Sequence, residues 1–321
     1  MSLLFIVAIF LSSCIILSWL SGSLIGSLVG VARYLRWREF TIAFFVMAFA
    51  TSLPNLFIDI NAAFQGKPEL AFGDIIGGNL ADLTIVLAIA VFFSKKGLVA
   101  ESEMVQKSAI FTAVIAVLPL LLILDGKLDR VDGLVLIFSF VVYSFWLFSK
   151  KGRFKKRYHS RTEAENMGFG GFLWNIGKMA VLVALLLAAS QAVVVSAQFF
   201  SDQLGISLAL VGILIVGLGN AFPELYFSVI SARKEENWLV LGDLIGSVII
   251  CSTLVLGIIA VFFPFEIKDF SPFVTARMFL IIAALLSLLF IRSGRKITKK
   301  EGLFLLAIYI LFLITEIFIT S

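Results

Sequence analysis

The sequence predicts an all-α integral membrane protein: ten transmembrane helices arranged as two inverted five-helix repeats, with helices 2 and 7 broken. Three observations carry this prediction: the composition, a set of long apolar segments, and a motif pair that recurs at a fixed distance. Of the 321 residues, 60% are hydrophobic and 15% are charged, and the mean hydropathy is +1.07. Soluble proteins are typically about 45–50% apolar, and a chain of this length cannot bury the excess in one core. The composition therefore excludes a soluble domain and a disordered chain.

Ten apolar segments are long enough to cross a membrane as α-helices, which requires roughly 20 residues for about 30 Å of hydrocarbon. Their apolar residues run continuously and do not alternate, which excludes transmembrane β-strands. The predicted spans 1 to 10 are 3–31, 40–64, 69–93, 106–124, 131–149, 173–200, 205–232, 237–263, 272–292 and 302–319.

Basic residues are concentrated in alternate loops between these spans. Of the 26 Lys and Arg residues, 19 fall in one set of loops and five in the other. Cytoplasmic loops carry the excess of positive charge, so we expect both termini to lie outside, at the plasma (cell) membrane. Short basic clusters between apolar segments argue against a nucleic-acid partner, although the pI is near 9.2. The expected surroundings are the lipid bilayer, and the oligomeric state stays open, with a monomer among the options.

Two short motifs recur at one shared distance. Residues 51–56 (TSLPNL) resemble residues 220–225 (NAFPEL), and residues 73–78 (GDIIGG) resemble residues 242–247 (GDLIGS). Both pairs are 169 positions apart. A fixed offset shared by two motifs indicates an internal duplication.

The duplication defines the predicted domain organisation. Each half holds five spans, and an odd number of spans inverts the second copy, so a pseudo-two-fold axis lies in the membrane plane. The halves are residues 1–149 (spans 1–5) and 173–321 (spans 6–10). Residues 150–172 form a basic cytoplasmic linker between them.

Five carboxylates interrupt spans 2, 3, 7 and 8, the spans that carry the repeated motifs. Each costs about 2.5–3.5 kcal/mol at a helix centre, and no Lys or Arg lies beside any of them in the sequence. Such a cluster requires a cation, a proton or water. For any single member, a protonated structural group or a position near the interface stays open as an alternative. The five are Asp59, Asp74, Asp82, Glu224 and Asp243, of which Asp74 and Asp243 are a matched pair.

Two prolines at repeated positions, Pro54 and Pro223, fall in the middle of spans 2 and 7. Proline removes one backbone amide and clashes with the preceding turn, so both helices are predicted to break there. A break frees carbonyl oxygens, which are tolerated at membrane depth only against protein or a cavity. Oxygen ligands of this kind suit Ca²⁺, and by the same logic Na⁺. The neutral oxygen donors nearby are Thr51, Ser52, Asn55 and Asn220.

These motifs resemble those of the cation/Ca²⁺ exchanger superfamily, and of its sodium–calcium exchanger type in particular. The repeats of that family read approximately G-T-S-x-P-E followed by G-N-x-x-G-S-N. In this chain the first copy is Ala50–Asn55 with Gly73–Asn79, and the second is Gly219–Glu224 with Gly242–Val248. Ten spans, inverted halves and outside termini are also similar to that family.

The resemblance implies an antiporter with a central cluster of cation sites and alternating access by rocking of spans 1 and 6. Asn55 stands where the family has a glutamate, Gly78 and Ala221 replace hydroxyls, and Cys251 holds a position that can be acidic. Asp59, Asp74 and Asp243 lie nearby as additional acids. By residue matching, the ligand positions are Thr51, Ser52, Asn55, Gly78 and Asp82 in the first repeat and Asn220, Ala221, Glu224, Ser247 and Cys251 in the second.

The resulting hypothesis is a secondary-active antiporter that exchanges Ca²⁺ against Na⁺, with Glu224 and Asp82 as the central charged ligands. One alternative is an H⁺-coupled antiporter of Ca²⁺ or another divalent cation, in which a carboxylate such as Asp59 titrates. Another is a transport-inactive member whose site is degenerate at Asn55 and Ala221. No nucleophile–base pair, phosphate loop or hydrolase motif occurs in the sequence, so an enzyme and a covalent cofactor are not expected.

Overall fold

The computed structural model describes residues 3–34, 39–101, 103–149, 169–267 and 270–320. Of the predicted linker at 150–172, residues 150–168 lie outside this set. The chain is helical from Phe169 onwards, so the last four positions of the predicted linker belong to the helix that forms span 6.

The described residues fold almost entirely as α-helices, which confirms the predicted class. In the first half the helices are α1 (Leu3–Tyr34), α2 (Glu39–Phe64), α3 (Pro68–Ala81), α4 (Leu87–Phe93), α5 (Glu103–Leu122) and α6 (Arg130–Ser149). In the second half they are α7 (Phe169–Leu204), α8 (Leu208–Val211), α9 (Gly217–Asn220), α10 (Phe222–Arg233), α11 (Asn237–Ile249), α12 (Leu256–Phe262), α13 (Ser271–Arg292) and α14 (Lys299–Thr320).

These helices account for the ten predicted spans. Span 3 consists of α3 and α4, span 7 of α8 to α10, and span 8 of α11 and α12, while each other span is one helix. Within the described ranges, nine segments are long and apolar enough to cross a membrane, and α2 is a further helix of 26 residues. Spans 3 and 8 are 83% buried over their apolar windows, against 22% for span 5 and 28% for span 10. The repeat motifs therefore lie at the centre of the molecule.

The two repeated prolines have different effects. Helix α2 continues through Pro54, so the break predicted in span 2 is absent. Span 7 is interrupted at Ala221, and Pro223 is the second residue of α10, where its missing amide is not needed. The residues before Pro223 include Gly217 and Gly219, whereas the repeated positions before Pro54 are alanines. Glycine disfavours a helix by about 1 kcal/mol relative to alanine, which explains why only the second copy breaks.

Wider π-helical turns, which the sequence analysis did not predict, join the two parts of spans 3 and 8. They cover Asp82–Val86 and Ile250–Val255, and Asp82 and Cys251 are 169 positions apart. A third such turn, Gly212–Val216, joins α8 to α9. Turns of this kind are frequent at functional sites, and here they carry two of the predicted site residues.

Among the described residues, four short strands connect the halves. They are β1 (Leu98–Val99), β2 (Lys127–Leu128), β3 (Phe265–Glu266) and β4 (Lys296–Ile297). β1 pairs antiparallel with β4, and β2 pairs antiparallel with β3. Each ribbon therefore takes one strand from each half, one ribbon following span 3 and the other following span 8.

Reciprocal caps begin the last helix of each half. In the first half the Asp129 amide donates to Asp132 Oδ2 at 2.9 Å and the Asp132 amide donates to Asp129 Oδ1 at 3.1 Å. That second bond is the main reason why the pKa of Asp129 lies below its ordinary value. Thr298 and Glu301 form the corresponding cap in the second half. Because the capping pairs are 169 positions apart, the duplication extends to the ends of these helices.

Glycines bring span 3 into backbone contact with the first part of span 7. A Cβ atom at Gly217 would lie 2.6 Å from the Gly78 nitrogen, and one at Gly212 would lie 2.5 Å from the Leu70 carbonyl oxygen. A Cβ atom at Gly77 would overlap the carbonyl of Ile213. Close approach of this kind is what small residues permit in membrane helices, and it brings the site residues of the two halves together.

Candidate cation site

The predicted site residues lie on spans 2, 3, 7 and 8, and all of them except Ser52 and Ala221 fall into three successive layers, which also include the unpredicted Ser228. We define the middle layer as Asn55, Gly78, Glu224 and Ser247. The first end layer, toward the turn at Gln65–Lys67, is Asp59, Asp74, Asn220 and Cys251. The second end layer, toward the turn at Lys234–Glu236, is Thr51, Asp82, Ser228 and Asp243. Consecutive members on one helix are about one turn apart.

The middle layer centres on Glu224, which is 1% exposed. Ser247 Oγ donates to Glu224 Oε1 at 3.3 Å, while Glu224 Oε2 has no hydrogen-bond partner. Asp82 of the second end layer lies beside the same Ser247 hydroxyl. Asn55 Nδ2 is 3.7 Å from Cys251 Sγ, and Asn55 Oδ1 is unpartnered. The structure therefore brings Glu224 and Asp82 together around the Ser247 hydroxyl and places Asn55 next to Cys251.

Two hydrogen bonds join the halves and are equivalent under the repeat. Thr51 Oγ1 donates to Asp243 Oδ1 at 3.0 Å, and Asn220 Nδ2 donates to Asp74 Oδ2 at 2.6 Å. Thr51 and Asn220 are 169 positions apart, as are Asp74 and Asp243. Each matched aspartate is thus held by a neutral donor from the opposite half.

The five buried acids keep oxygen atoms that no group of the protein satisfies. At most 3% of each residue is exposed, and within the described ranges none of them forms a salt bridge. Buried charge without a partner is strongly unfavourable, so these groups favour a cation or a proton. The unpartnered atoms are Asp59 Oδ1 and Oδ2, Asp74 Oδ1, Asp82 Oδ1, Glu224 Oε2 and Asp243 Oδ2.

Two predicted positions, Gly78 and Ala221, offer no side-chain oxygen. Gly78 packs against Gly217 and has no side-chain ligand. The carbonyl oxygen of Ala221 accepts the Leu225 amide at 2.9 Å, so the interruption of span 7 does not free it. Ser52 is buried in the same region, with 1% of its surface exposed. Across the described residues, no three His, Cys, Asp or Glu side chains converge closely enough to hold a metal ion. A bound cation would therefore also require neutral oxygens.

Two buried polar positions were not predicted. Asn79 Nδ2 donates to Ser252 Oγ at 2.7 Å and links spans 3 and 8 next to the site. Ser228 is fully buried with an unpartnered hydroxyl. The repeat could have identified Ser228, because it lies 169 positions after Asp59. The repeat gave no signal for Asn79, since the repeated position is Val248, but Asn79 matches the last residue of the family motif G-N-x-x-G-S-N.

A sequence model of the sodium/calcium exchanger protein family matches residues 5–149 and 174–318. The chain belongs to the sodium/calcium exchanger protein family. It is accordingly a multi-pass integral membrane protein of an exchanger family, in agreement with its apolar helices.

Curated relatives match this exchanger over most of its length. The sodium/calcium exchanger MaX1 of Methanosarcina acetivorans is 25% identical, covering 90% of this chain and 92% of the relative. The inner membrane protein YrbG of Escherichia coli (strain K12) is 23% identical over 84% of this chain and 83% of its own length.

The solved structure of the sodium-calcium exchanger NCX_Mj has the same fold. It superposes with a TM-score of 0.63 at 23% identity, covering 97% of this chain and 98% of that one. The fold predicted from the sequence is thus shared with a solved member of the family.

Proposed function

We propose that this exchanger is a secondary-active antiporter that moves Ca²⁺ against Na⁺ by alternating access. The observation that carries the proposal is the layered group of five buried acids between the halves, none neutralised by a basic side chain within the described residues. Burying such charges is tolerated where a cation compensates them. The relative MaX1 is itself a sodium/calcium exchanger.

The proposed ligands centre on Glu224 and Asp82, on either side of the Ser247 hydroxyl. Their two negative charges could be balanced by one Ca²⁺ or by two Na⁺. Ca²⁺ and Na⁺ would bind to the same carboxylates. One kind of ion therefore has to leave before the other binds tightly, and exchange requires this competition. Ca²⁺ takes about six to eight oxygen ligands. The proposed neutral ligands are Thr51, Ser52, Asn55, Asn220 and Ser247.

The proposed moving elements are α1 and α7, which pack along each other at the edge of the site. Both are only 33% buried over their apolar windows. Phe10 and Cys14 of α1 lie against Gly219, next to the interruption of span 7. Rocking of these two helices would uncover the layers from one end or the other while spans 2, 3, 7 and 8 keep the ligands in place.

For the orientation, we place the Lys234–Glu236 turn in the cytoplasm and both termini outside, at the plasma membrane. The basic loops support this assignment, because they alternate with loops that hold few Lys or Arg residues. The second end layer would then face the cytoplasm and the first end layer would face the outside. The cations are cargo, and no covalent cofactor is part of the proposal.

Ca²⁺ uptake into proteoliposomes, driven by an outward Na⁺ gradient, tests this function. Glu224→Gln keeps the shape of the side chain and removes its charge, so uptake is expected to fall to background. Glu266→Gln, at an exposed position on β3, is the matched control and should transport like the unaltered protein. Full uptake by Glu224→Gln would refute the proposed role of this residue.

A second candidate, H⁺-coupled exchange, is favoured by one observation: Asp59 is fully buried, with both oxygens unpartnered, beside Asp74. It predicts that a pH gradient drives Ca²⁺ uptake without Na⁺, and that Asp59→Asn abolishes this uptake. A protein that transports under neither gradient and is not stabilised by any cation would instead have a degenerate site.

A further inference from the structure

A cavity of about 450 Å³ lies at the end of the molecule where the β1–β4 ribbon joins the two halves. It lies between the start of α5 and the end of α13, two helices that pack against each other. Its volume falls within the range of about 300–1,000 Å³ that is typical of small-molecule sites. None of the residues that line it belongs to the three layers, so this cavity is separate from the candidate cation site.

Hydrogen bonds between the two halves fix the walls of the cavity. Gln106 lines it, and its Nε2 donates to the Ala100 carbonyl at 2.7 Å and to the Ile291 carbonyl at 2.6 Å. The Ala100 amide in turn donates to the Arg295 carbonyl at 2.7 Å. These bonds join the segment before α5 to the end of α13, so the shape of the cavity is built into the fold.

The backbone at Arg295, which also lines the cavity, has an unusual conformation. Its φ is +53°, and the preceding Gly294 has a φ of +65°. Glycine adopts such angles freely, but a residue with a Cβ atom seldom does, and strain of this kind is concentrated at functional sites. The arginine at this position therefore indicates a use for its side chain beyond forming the turn.

The charged groups that line the cavity leave a net positive charge. Lys107 Nζ is 2.5 Å from Glu103 Oε1, so these two charges compensate each other. Arg292 and Arg295 are both exposed, and neither forms a salt bridge within the described residues. Glu101 is the remaining acid, so three bases and two acids give an excess of one positive charge. Guanidinium groups bind phosphate oxygens in pairs, and the cavity therefore suits a singly charged phosphodiester.

Exposed apolar side chains continue from the cavity along both helices toward the middle of the membrane. Ile110 lines the cavity, and Val114 lies one turn further along α5. On α13, Leu289 and Leu285 lie one and two turns before Arg292 on the same face, and each is more than half exposed. A soluble phosphate has no use for such a surface, whereas the acyl chains of a lipid would cover it.

We propose that this cavity binds the head group of an anionic phospholipid of the phosphatidylglycerol type. The phosphate would bind to Arg292 and Arg295, Glu101 would accept a hydroxyl of the glycerol head group, and the acyl chains would lie along α5 and α13. Basic pockets between membrane helices bind anionic head groups in this way. Because α5 and α13 belong to different halves, the lipid would bridge them. This inference goes beyond the proposed exchange and does not depend on which ions are exchanged.

Native mass spectrometry of the detergent-purified protein, titrated with dioleoylphosphatidylglycerol, tests the lipid site. We expect one tightly bound lipid on the unaltered protein. The double variant Arg292→Gln/Arg295→Asn should bind it about tenfold more weakly or worse, since loss of one charge-assisted hydrogen bond already corresponds to about that factor. Asparagine is chosen at position 295 because it tolerates the left-handed backbone.

Lys299→Gln/Lys300→Gln is the matched control. It removes the same charge at the start of α14, at the same end of the molecule, and neither lysine lines the cavity. This variant should bind the lipid as the unaltered protein does. Thermal unfolding without lipid shows whether each variant is folded, and Arg292→Gln alone replaces the double variant if the latter does not fold.

Two further ligands test the chemistry of the site. Dioleoylphosphatidylcholine has the same acyl chains and a head group without net charge, and it should bind more weakly. Glycerol 3-phosphate carries a phosphate without acyl chains, and it should not displace the bound lipid.

Four results would overturn the inference. One is a folded Arg292→Gln/Arg295→Asn protein that binds phosphatidylglycerol as the unaltered protein does, and another is an equal loss in the lysine control. The third is equally tight binding of phosphatidylcholine. The fourth is displacement of the lipid by glycerol 3-phosphate, which would assign the cavity to a soluble phosphate. Failure of the proposed function is distinguishable, because absent cation exchange in vesicles would leave all of these measurements unchanged.

Discussion

At the residue scale, the buried carboxylates accept hydrogen bonds from neutral donors, and no cationic side chain of the described ranges pairs with them. A neutral donor orients a carboxylate and leaves its charge available to an ion, whereas a salt bridge would cancel that charge. Three acids each accept one such bond from another helix: Asp243 from Thr51, Asp74 from Asn220, and Glu224 from Ser247. This arrangement is therefore compatible with repeated binding and release of cations.

Removal of one neutral donor, the Thr51 hydroxyl, should destabilise the protein when no cation is bound. Thr51→Val keeps the side-chain shape and deletes the hydroxyl that donates to Asp243 at 3.0 Å. A buried acceptor left without its donor costs about 1–3 kcal/mol, so the free energy of unfolding should fall by about that amount. Unfolding of the purified protein in detergent, in buffer free of Na⁺ and Ca²⁺, measures it.

The control for this prediction is Thr112→Val. The Thr112 hydroxyl is also buried, but it bonds only to the Ser108 carbonyl in its own helix. The double variant Thr51→Val/Asp243→Asn should lose less than the two single variants together, because both changes act on one hydrogen bond. Additive losses would mean that the Thr51–Asp243 contact contributes nothing to stability.

The repeat offset predicted which site residues are equivalent but not which of them touch. Thr51 and Asn220 occupy equivalent positions, and so do Asp74 and Asp243. That each donor bonds to the aspartate of the opposite half depends on how the halves pack, and no local pattern encodes this. Their role as cation ligands stays a prediction. The Asp59–Asp74 contact follows from antiparallel spans 2 and 3 having a short turn between them.

At the element scale, a proline at the same position of the repeat interrupts the helix in the second half but not in the first. A rule that proline breaks a helix predicted interruptions at Pro54 and Pro223, and only the second occurs. The π-helical turns were unpredicted, although those in spans 3 and 8 each contain a threonine whose hydroxyl bonds to the carbonyl four residues before it, Thr84 to Leu80 and Thr253 to Ile249. Such bonds bend helices. The two threonines are 169 positions apart and give a signal that could have been used.

Repeated glycines provide a test of helix packing at this scale. A Cβ atom at Gly73 would overlap the carbonyl of Ala209, whereas a Cβ atom at Gly242, the repeated position, meets nothing within 4 Å. Gly73→Ala should lower the free energy of unfolding by about 1–3 kcal/mol, the usual cost of overpacking. Gly242→Ala should be neutral or stabilising by up to about 1 kcal/mol, since alanine favours a helix.

Thermal unfolding of the two variants side by side measures this difference. Each substitution adds the same methyl group at an equivalent position, so intrinsic helix propensity cancels in the comparison. Equal Tm values would mean that spans 3 and 7 are not in backbone contact at Gly73.

At the scale of the whole molecule, spans 2–5 and 7–10 are interlocked. The strand ribbons join the halves on both sides of the membrane region. Gly133 of α6 packs against Gly257 of α12, and Gly302 of α14 packs against Val91 of α4. The last span of each half thus contacts the third span of the other. The sequence defines the two halves, but it does not show which helices of one half pack against the other. This interlocking was therefore not predictable from the sequence.

A polar network connects α7 to this interlocked body at one end. Asn61 Nδ2 donates to the Leu187 carbonyl at 3.2 Å and to Ser190 Oγ at 2.9 Å. Gln65 Nε2 donates to Asn61 Oδ1 and to Gln191 Oε1. The positions that repeat Asn61 and Gln65 are Ile230 and Lys234, so α1 has no equivalent tie from the same positions. Movement of α7 along α2 would have to break this network.

Loss of this network should therefore make the arrangement in which α7 is bonded to α2 less populated. Asn61→Leu removes both donated bonds. Hydrogen bonds between membrane helices contribute about 0.6 kcal/mol each, so two of them correspond to a shift of about eightfold in the populations. Spin labels at Phe64 and Leu204, exposed at the C-terminal ends of α2 and α7, measure the distance between these helices. In Asn61→Leu, the distance found in the unaltered protein should account for a smaller fraction of the molecules. Gln198→Ala is the control, because the Gln198 side chain bonds to Asp202 in its own helix. An Asn61→Leu distance distribution identical to that of Gln198→Ala would show that the network does not hold α7 in place.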